Sequence, residues 1–187
     1  FKYFLTLTFV LIGTNLNSSE FKLKTLSDEN AICNNGENAN YWIADQGTNK
    51  WLIQLPGGGA AWDIKTYNSR DKTKKENIKK PDNLFLQISS SAIASQLYDI
   101  GYNVIKIHYC SSDLYAGDHY NSINNKKIPF KGRVIISEIL KDYDDRLNNS
   151  KDTIVAGTSA GVYGILLNLD LFSQLNNSRF ILDSIWR

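Results

Sequence analysis

The stretch TIVAGTSAGVYGILLNL, residues 153–169, decides how this chain is read. Thr153, Ile154 and Val155 are β-branched and favour a strand. The apolar run from Val162 onward has the composition of a buried helix. Between them stands G-T-S-A-G, residues 157–161, which fits G-x-S-x-G. The physics of that motif is steric: a serine at the apex of a strand-to-helix turn takes strained backbone angles. Flanking residues without side chains let the turn close, so the hydroxyl stands over the sheet edge above a helix N-terminus. An ordinary glycine turn is the rival reading, because five such residues arise often by chance. The strand before and the helix after favour a nucleophile at Ser159.

Working outward, RFILDS (179–184) reads as a further strand, and apolar positions from Val134 to Leu147 recur at helical spacing. NVIKIHY (103–109) is a strand, preceded by a helix over about 89–99 that Gly101 stops. NYWIAD (40–45) and KWLIQL (50–55) are spaced as a hairpin. Residues 63–83 are lysine-rich and predict a surface loop, and residues 111–129 predict another. Strands alternating with helices argue for an α/β fold, a mostly parallel sheet with helices on both faces.

LPGGGAAW (55–62) supplies a second element of chemistry. Acyl transfer creates an oxyanion that must be met by preorganised N–H donors. A glycine run directly after a strand frees such donors and lets backbone approach a substrate closely. The expected donors are Gly58 and Gly59, together with Ala160 after the serine. A phosphate-binding loop is the weaker alternative, since no G-x-G-x-x-G leads into a helix and no G-K-[ST] follows.

The 187 residues fit one domain, with 42% apolar and 21% charged side chains. A net charge of +2 gives no argument for nucleic acid or an anionic membrane as partner. No apolar run reaches the roughly 18 residues of a membrane span. The first 19 residues have the build of a secretory signal peptide, with a charge at Lys2, an apolar run from Tyr3 to Gly13 and a polar exit. This predicts export to the periplasm or medium, with the domain proper over 20–187. In an oxidising compartment the two cysteines, Cys33 and Cys110, suggest one disulfide. Neither cysteine nor histidine spacing supports a metal site.

The ordered motifs AICNNGENANYWI, WLIQLPGGGAAW, HYCSSDLYAGD, PFKGRVII, AGTSAGVYGILLNLD and LDSIW resemble the pectin acetylesterase family, which includes the Notum-type carboxylesterases. The resemblance runs from about Cys33 to the end. It implies an α/β-hydrolase fold and a Ser-Asp-His triad with Ser159 as nucleophile. It also implies Gly58, Gly59 and Ala160 as the oxyanion hole, and no metal or organic cofactor. Two departures stand out. Many relatives carry a cysteine just after the glycine run, where this chain has Ala60, Ala61 and Trp62. The family's acid and histidine lie beyond the segment resembling LDSIW, so the chain reads as an N-terminal fragment, inactive alone. His108 and His119 precede the serine, against the order serine, acid, histidine. They read as a core or rim residue and a loop residue; Asp113, Asp118 and Asp183 read as structural. The expected function is a secreted serine carboxylesterase that deacetylates a polysaccharide such as pectin. The alternatives are a fatty-acyl or protein esterase of the Notum type and a non-catalytic carbohydrate binder.

Overall fold

The computed structural model describes residues 21–78 and 92–184. The expected signal peptide, the first turn of the expected helix at 89–99, and the end of LDSIW lie outside the described residues. The main sheet has six strands: β1 (Lys22–Thr25), β2 (Asn40–Ala44), β3 (Lys50–Leu55), β4 (Asn103–Ile107), β7 (Asp152–Thr158) and β8 (Ser178–Asp183). Their order is β1-β2-β4-β3-β7-β8. Strands β4, β3, β7 and β8 run parallel, and β2 and β1 extend the β4 side antiparallel.

Alternation along the central strands splits the core in two. Trp51, Ile53, Leu55, Ile105, Ile107 and Val155 face one side, against α3 (Gly132–Lys141), α5 (Ala160–Leu167) and α6 (Leu169–Phe172). Leu52, Val104 and Ile154 face the other, against α2 (Ala92–Asp99). A sheet covered on both faces needs strands that are apolar on both sides, as Trp51, Leu52 and Ile53 are in KWLIQL. The fold is α/β-hydrolase-like. Among the described residues no helix is long and apolar enough to cross a membrane.

Four local expectations change. β2 and β3 do not form a hairpin, because β4 lies between them and pairs with both. The connection passes over the start of β4, where Asn103 is fully buried. Its side chain accepts from Gln46 N at 2.7 Å and donates to the Thr48 carbonyl at 2.8 Å. The expected loop at 111–129 contains most of a hairpin, β5 (His119–Ile123) and β6 (Lys126–Phe130), joined through Asn124 and Asn125. Both asparagines have φ near +55°, at 50° and 60°, as a two-residue type I′ turn requires. The helix expected up to Leu147 is two, α3 and α4 (Asp144–Asn148), broken around Asp142 and Tyr143. Within the lysine-rich loop stands α1 (Ile64–Ser69), started by a reciprocal Asp63–Thr66 capping box. Gly101 does stop α2, with φ of +89° and its N–H on the Tyr98 carbonyl.

Candidate active site

Strand β7 delivers Ser159 and α5 leaves from it. Ser159 has φ 52° and ψ −115°, a left-handed backbone that costs a non-glycine residue about 1–3 kcal/mol. Two bonds fix it there: Ser159 N–H donates to the Asp183 carbonyl of β8 at 3.1 Å, and Val162 N–H donates to the Ser159 carbonyl at 2.9 Å. The glycines on either side answer steric demands. A Cβ on Gly157 would stand 2.5 Å from the Gly161 carbonyl oxygen, and one on Gly161 would stand 1.9 Å from the Leu55 carbonyl oxygen. Helix α5 therefore crosses the end of β3 at backbone contact.

The register of β3 against β7, Leu55 opposite Gly157, sends the glycine loop directly beside the serine. A Cβ on Gly57 would lie 3.0 Å from Ser159 Cβ. Two buried tyrosines on the segment after β4 hold this loop. Tyr115 Oη donates to the Pro56 carbonyl at 2.9 Å and Tyr109 Oη to the Gly59 carbonyl at 2.8 Å, with their rings stacked at 4.3 Å. Gly59 sits at φ +66°. Among the described residues the N–H groups of Gly58, Gly59 and Ala160 donate to no protein acceptor, so the loop and the helix start keep donors available for a ligand oxygen.

Asp113 organises the tyrosine segment. Its carboxylate accepts from Ser111 Oγ at 2.6 Å and from the N–H groups of Tyr115, Gly117 and Gly132 at 3.0, 3.1 and 2.8 Å. Ser112, Leu114 and Tyr115 all have φ near +60° around it, at 59°, 57° and 63°. Burial pushes its pKa up, and the hydrogen bonds from Ser111, Gly132 and Gly117 pull the other way. Asp113→Ala strands four buried donors and is expected to cost about 3 kcal/mol or more. The check is the midpoint of urea unfolding; Asp113→Asn should recover little, since an amide nitrogen would face backbone N–H groups.

The structure joins Cys33 to Cys110, with their Cα atoms 5.0 Å apart and a sequence separation of 77. Closing so long a loop stabilises by about 4 kcal/mol in the chain-entropy account. It also anchors the segment bearing Tyr109 and Tyr115. His108 is largely buried and its Nε2–H donates to the Glu76 carbonyl at 2.8 Å. Burial pushes its pKa down, which keeps the ring neutral. His119 is exposed, stacks on Phe130 and lies 3.2 Å from Asn121 Nδ2. Neither histidine is hydrogen-bonded to Ser159. Asp118 pairs with Lys131 at 2.8 Å. Asp183 ends β8, receiving the serine N–H on its carbonyl and Ser184 Oγ on its carboxylate. The structure sets the expected serine beside the expected glycine loop, and places there Tyr109, Tyr115 and two cations, Arg70 and Lys74, that sequence reasoning did not name. The signal lay in HYCSSDLYAGD, whose tyrosines acquire a role only when β4 lies next to β3.

The family model for pectinacetylesterase matches residues 14–183. The chain belongs to the pectinacetylesterase family. Within it, the chain is similar to human palmitoleoyl-protein carboxylesterase NOTUM, 30% identical over 163 residues, covering 84% of this chain and 33% of the human protein. It is 31% identical to zebrafish palmitoleoyl-protein carboxylesterase notum1a over 162 residues, covering 83% and 32%. Pectin acetylesterase 11 of Arabidopsis thaliana is 26% identical over 176 residues, covering 91% and 45%. The chain thus spans about a third of the length of these Notum relatives. The elements described above are those of this part of a pectinacetylesterase.

Proposed function

We propose that this chain carries the nucleophile and oxyanion hole of a secreted serine carboxylesterase that removes an O-acyl group, most simply acetate, from a polysaccharide. The observation behind this reading is the contact of a strained serine turn with a glycine loop whose Gly58 and Gly59 N–H groups donate to no acceptor among the described residues. Ser159 Oγ attacks the ester carbonyl, while Gly58, Gly59 and Ala160 N–H groups receive the tetrahedral oxyanion. The serine proton passes to a general base and on to the leaving alcohol, and water then releases the acyl group by the reverse path. Because His108 is committed to the Glu76 carbonyl and His119 stands on the exposed hairpin, the base is assigned to a histidine of the complete protein. No step calls for a metal or organic cofactor.

The names of the vertebrate relatives speak for a second reading, hydrolysis of a fatty-acyl protein ester. A non-catalytic carbohydrate binder is the third. A fluorophosphonate probe separates catalyst from binder: labelling of the complete protein at Ser159, mapped by peptide mass spectrometry, is the expected result. A folded complete protein left unlabelled would end this proposal. Rates on acetyl against palmitoleoyl esters then separate the first two readings.

A further inference from the structure

The glycine loop lies between an aromatic face and a cationic one. A Cβ on Gly58 would stand 2.8 Å from Tyr109 Cδ1 on one side and 3.2 Å from both Cδ and Cε of Lys74 on the other. A Cβ on Gly59 would stand 3.6 Å from Arg70 Nη1. Arg70 is held in place, its Nε donating to Ser112 Oγ at 2.7 Å and its guanidinium 5.6 Å from the Tyr109 ring centre. Among the described residues its buried Nη2 has no acceptor. Among the described residues neither Arg70 nor Lys74 has a carboxylate within ion-pair distance. Asp71 acts on Lys74 from a distance, but its carboxylate accepts from Thr73 N and Oγ1 at the start of the turn over 72–74.

Two neighbouring, half-buried cations with no carboxylate in ion-pair distance among the described residues oppose folding through desolvation and mutual repulsion. Lys74 records both effects: burial first, then Arg70, push its pKa down. Two cations held against the loop that faces Ser159, with no carboxylate in ion-pair distance among the described residues, form an arrangement an anion would relieve.

We propose that Arg70 and Lys74 form an anion subsite at the lip of the glycine loop, reading a carboxylate carried by the acylated substrate next to its scissile ester. This deepens the esterase reading by assigning the residues that sense substrate charge. A planar guanidinium already held at Nε presents Nη1 toward the glycine loop as a donor for a carboxylate oxygen, while Lys74 adds a point charge. The carboxylate can belong to the alcohol side, as in a uronate, or to the acyl side, as in a dicarboxylic half-ester.

The test is equilibrium binding to the complete protein by calorimetry, which needs no turnover. Probes are de-esterified oligogalacturonate, a neutral xylo-oligosaccharide of equal length, and monomethyl succinate. The variants are Lys74→Gln, Arg70→Gln and Arg70→Lys, each checked by circular dichroism. Wild type should prefer an anionic probe over the neutral one. Each Gln variant should weaken that preference about tenfold, with Arg70→Lys intermediate and rising salt acting in the same direction. Tight binding of oligogalacturonate places the carboxylate on the alcohol side; binding of monomethyl succinate alone places it on the acyl side. Absence of any preference in wild type, or a preference unchanged in folded Lys74→Gln and Arg70→Gln, overturns the subsite. Because binding is read without catalysis, those outcomes are distinct from failure of Ser159 labelling.

Discussion

Ser159→Ala should reduce ester hydrolysis by the complete protein at least about 10⁴-fold, with little change in its thermal unfolding. The hydroxyl is what acyl transfer consumes, and Ser159 stands where β7, α5 and the glycine loop meet. Alanine keeps the turn's backbone demand, since φ of 52° strains alanine as it strains serine. Folding is therefore left nearly where it was while chemistry stops. Ser159→Gly separates the two quantities further: it should be as inactive as alanine yet more stable by about 1 kcal/mol, because glycine takes positive φ without a Cβ clash. Steady-state kinetics with a small chromogenic acetate ester, alongside calorimetric melting, measure both. Retained turnover in either variant would remove Ser159 from the mechanism.

The largest stability effect is expected at Gly161. An alanine Cβ would be 1.9 Å from the Leu55 carbonyl oxygen and 2.6 Å from its carbon. Both are backbone atoms of β3, so no rotamer change can clear the overlap. Either α5 lifts from the sheet or β3 shifts against β4 and β7, and a loss of more than about 4 kcal/mol follows. Gly164→Ala is the graded comparison. Its Cβ would meet Tyr115 Cδ2 at 2.7 Å and Leu55 Cδ2 at 3.0 Å, which are side-chain atoms able to give way. A cost of about 1–2 kcal/mol is expected there. Urea unfolding of the two variants in parallel should rank them in that order, and equal midpoints would contradict the close crossing.

Much of the fold is legible in the sequence because it is set locally. KWLIQL, NVIKI and the run from Thr153 are short, largely apolar segments flanked by turn residues, and each becomes a central strand. Gly101 stops α2 through its own backbone freedom. Pairing is another matter. The spacing of NYWIAD and KWLIQL suits a hairpin, but insertion of β4 between them depends on residues more than fifty positions later, which no local pattern encodes. The Asn124–Asn125 pair did carry a turn signal for β5 and β6, masked by the polar run around it. The split between α3 and α4 leaves hydrophobic spacing nearly intact, so periodicity passes over it.

The same division holds at the site. Sequence alone determined that a serine stands between two glycines at a strand-to-helix junction, and that a glycine run follows another strand, because chain chirality and sterics allow few residues in such turns. Only the tertiary structure decided that the two belong together. The parallel register of β3 against β7 puts Gly57 against Ser159, and β4 brings two tyrosines, an aspartate-centred loop and, through Ser112, Arg70 to the same edge. Those contacts join residues up to about a hundred positions apart. Their geometry is set by packing and hydrogen-bond satisfaction across the whole sheet, quantities that have no local trace in the chain.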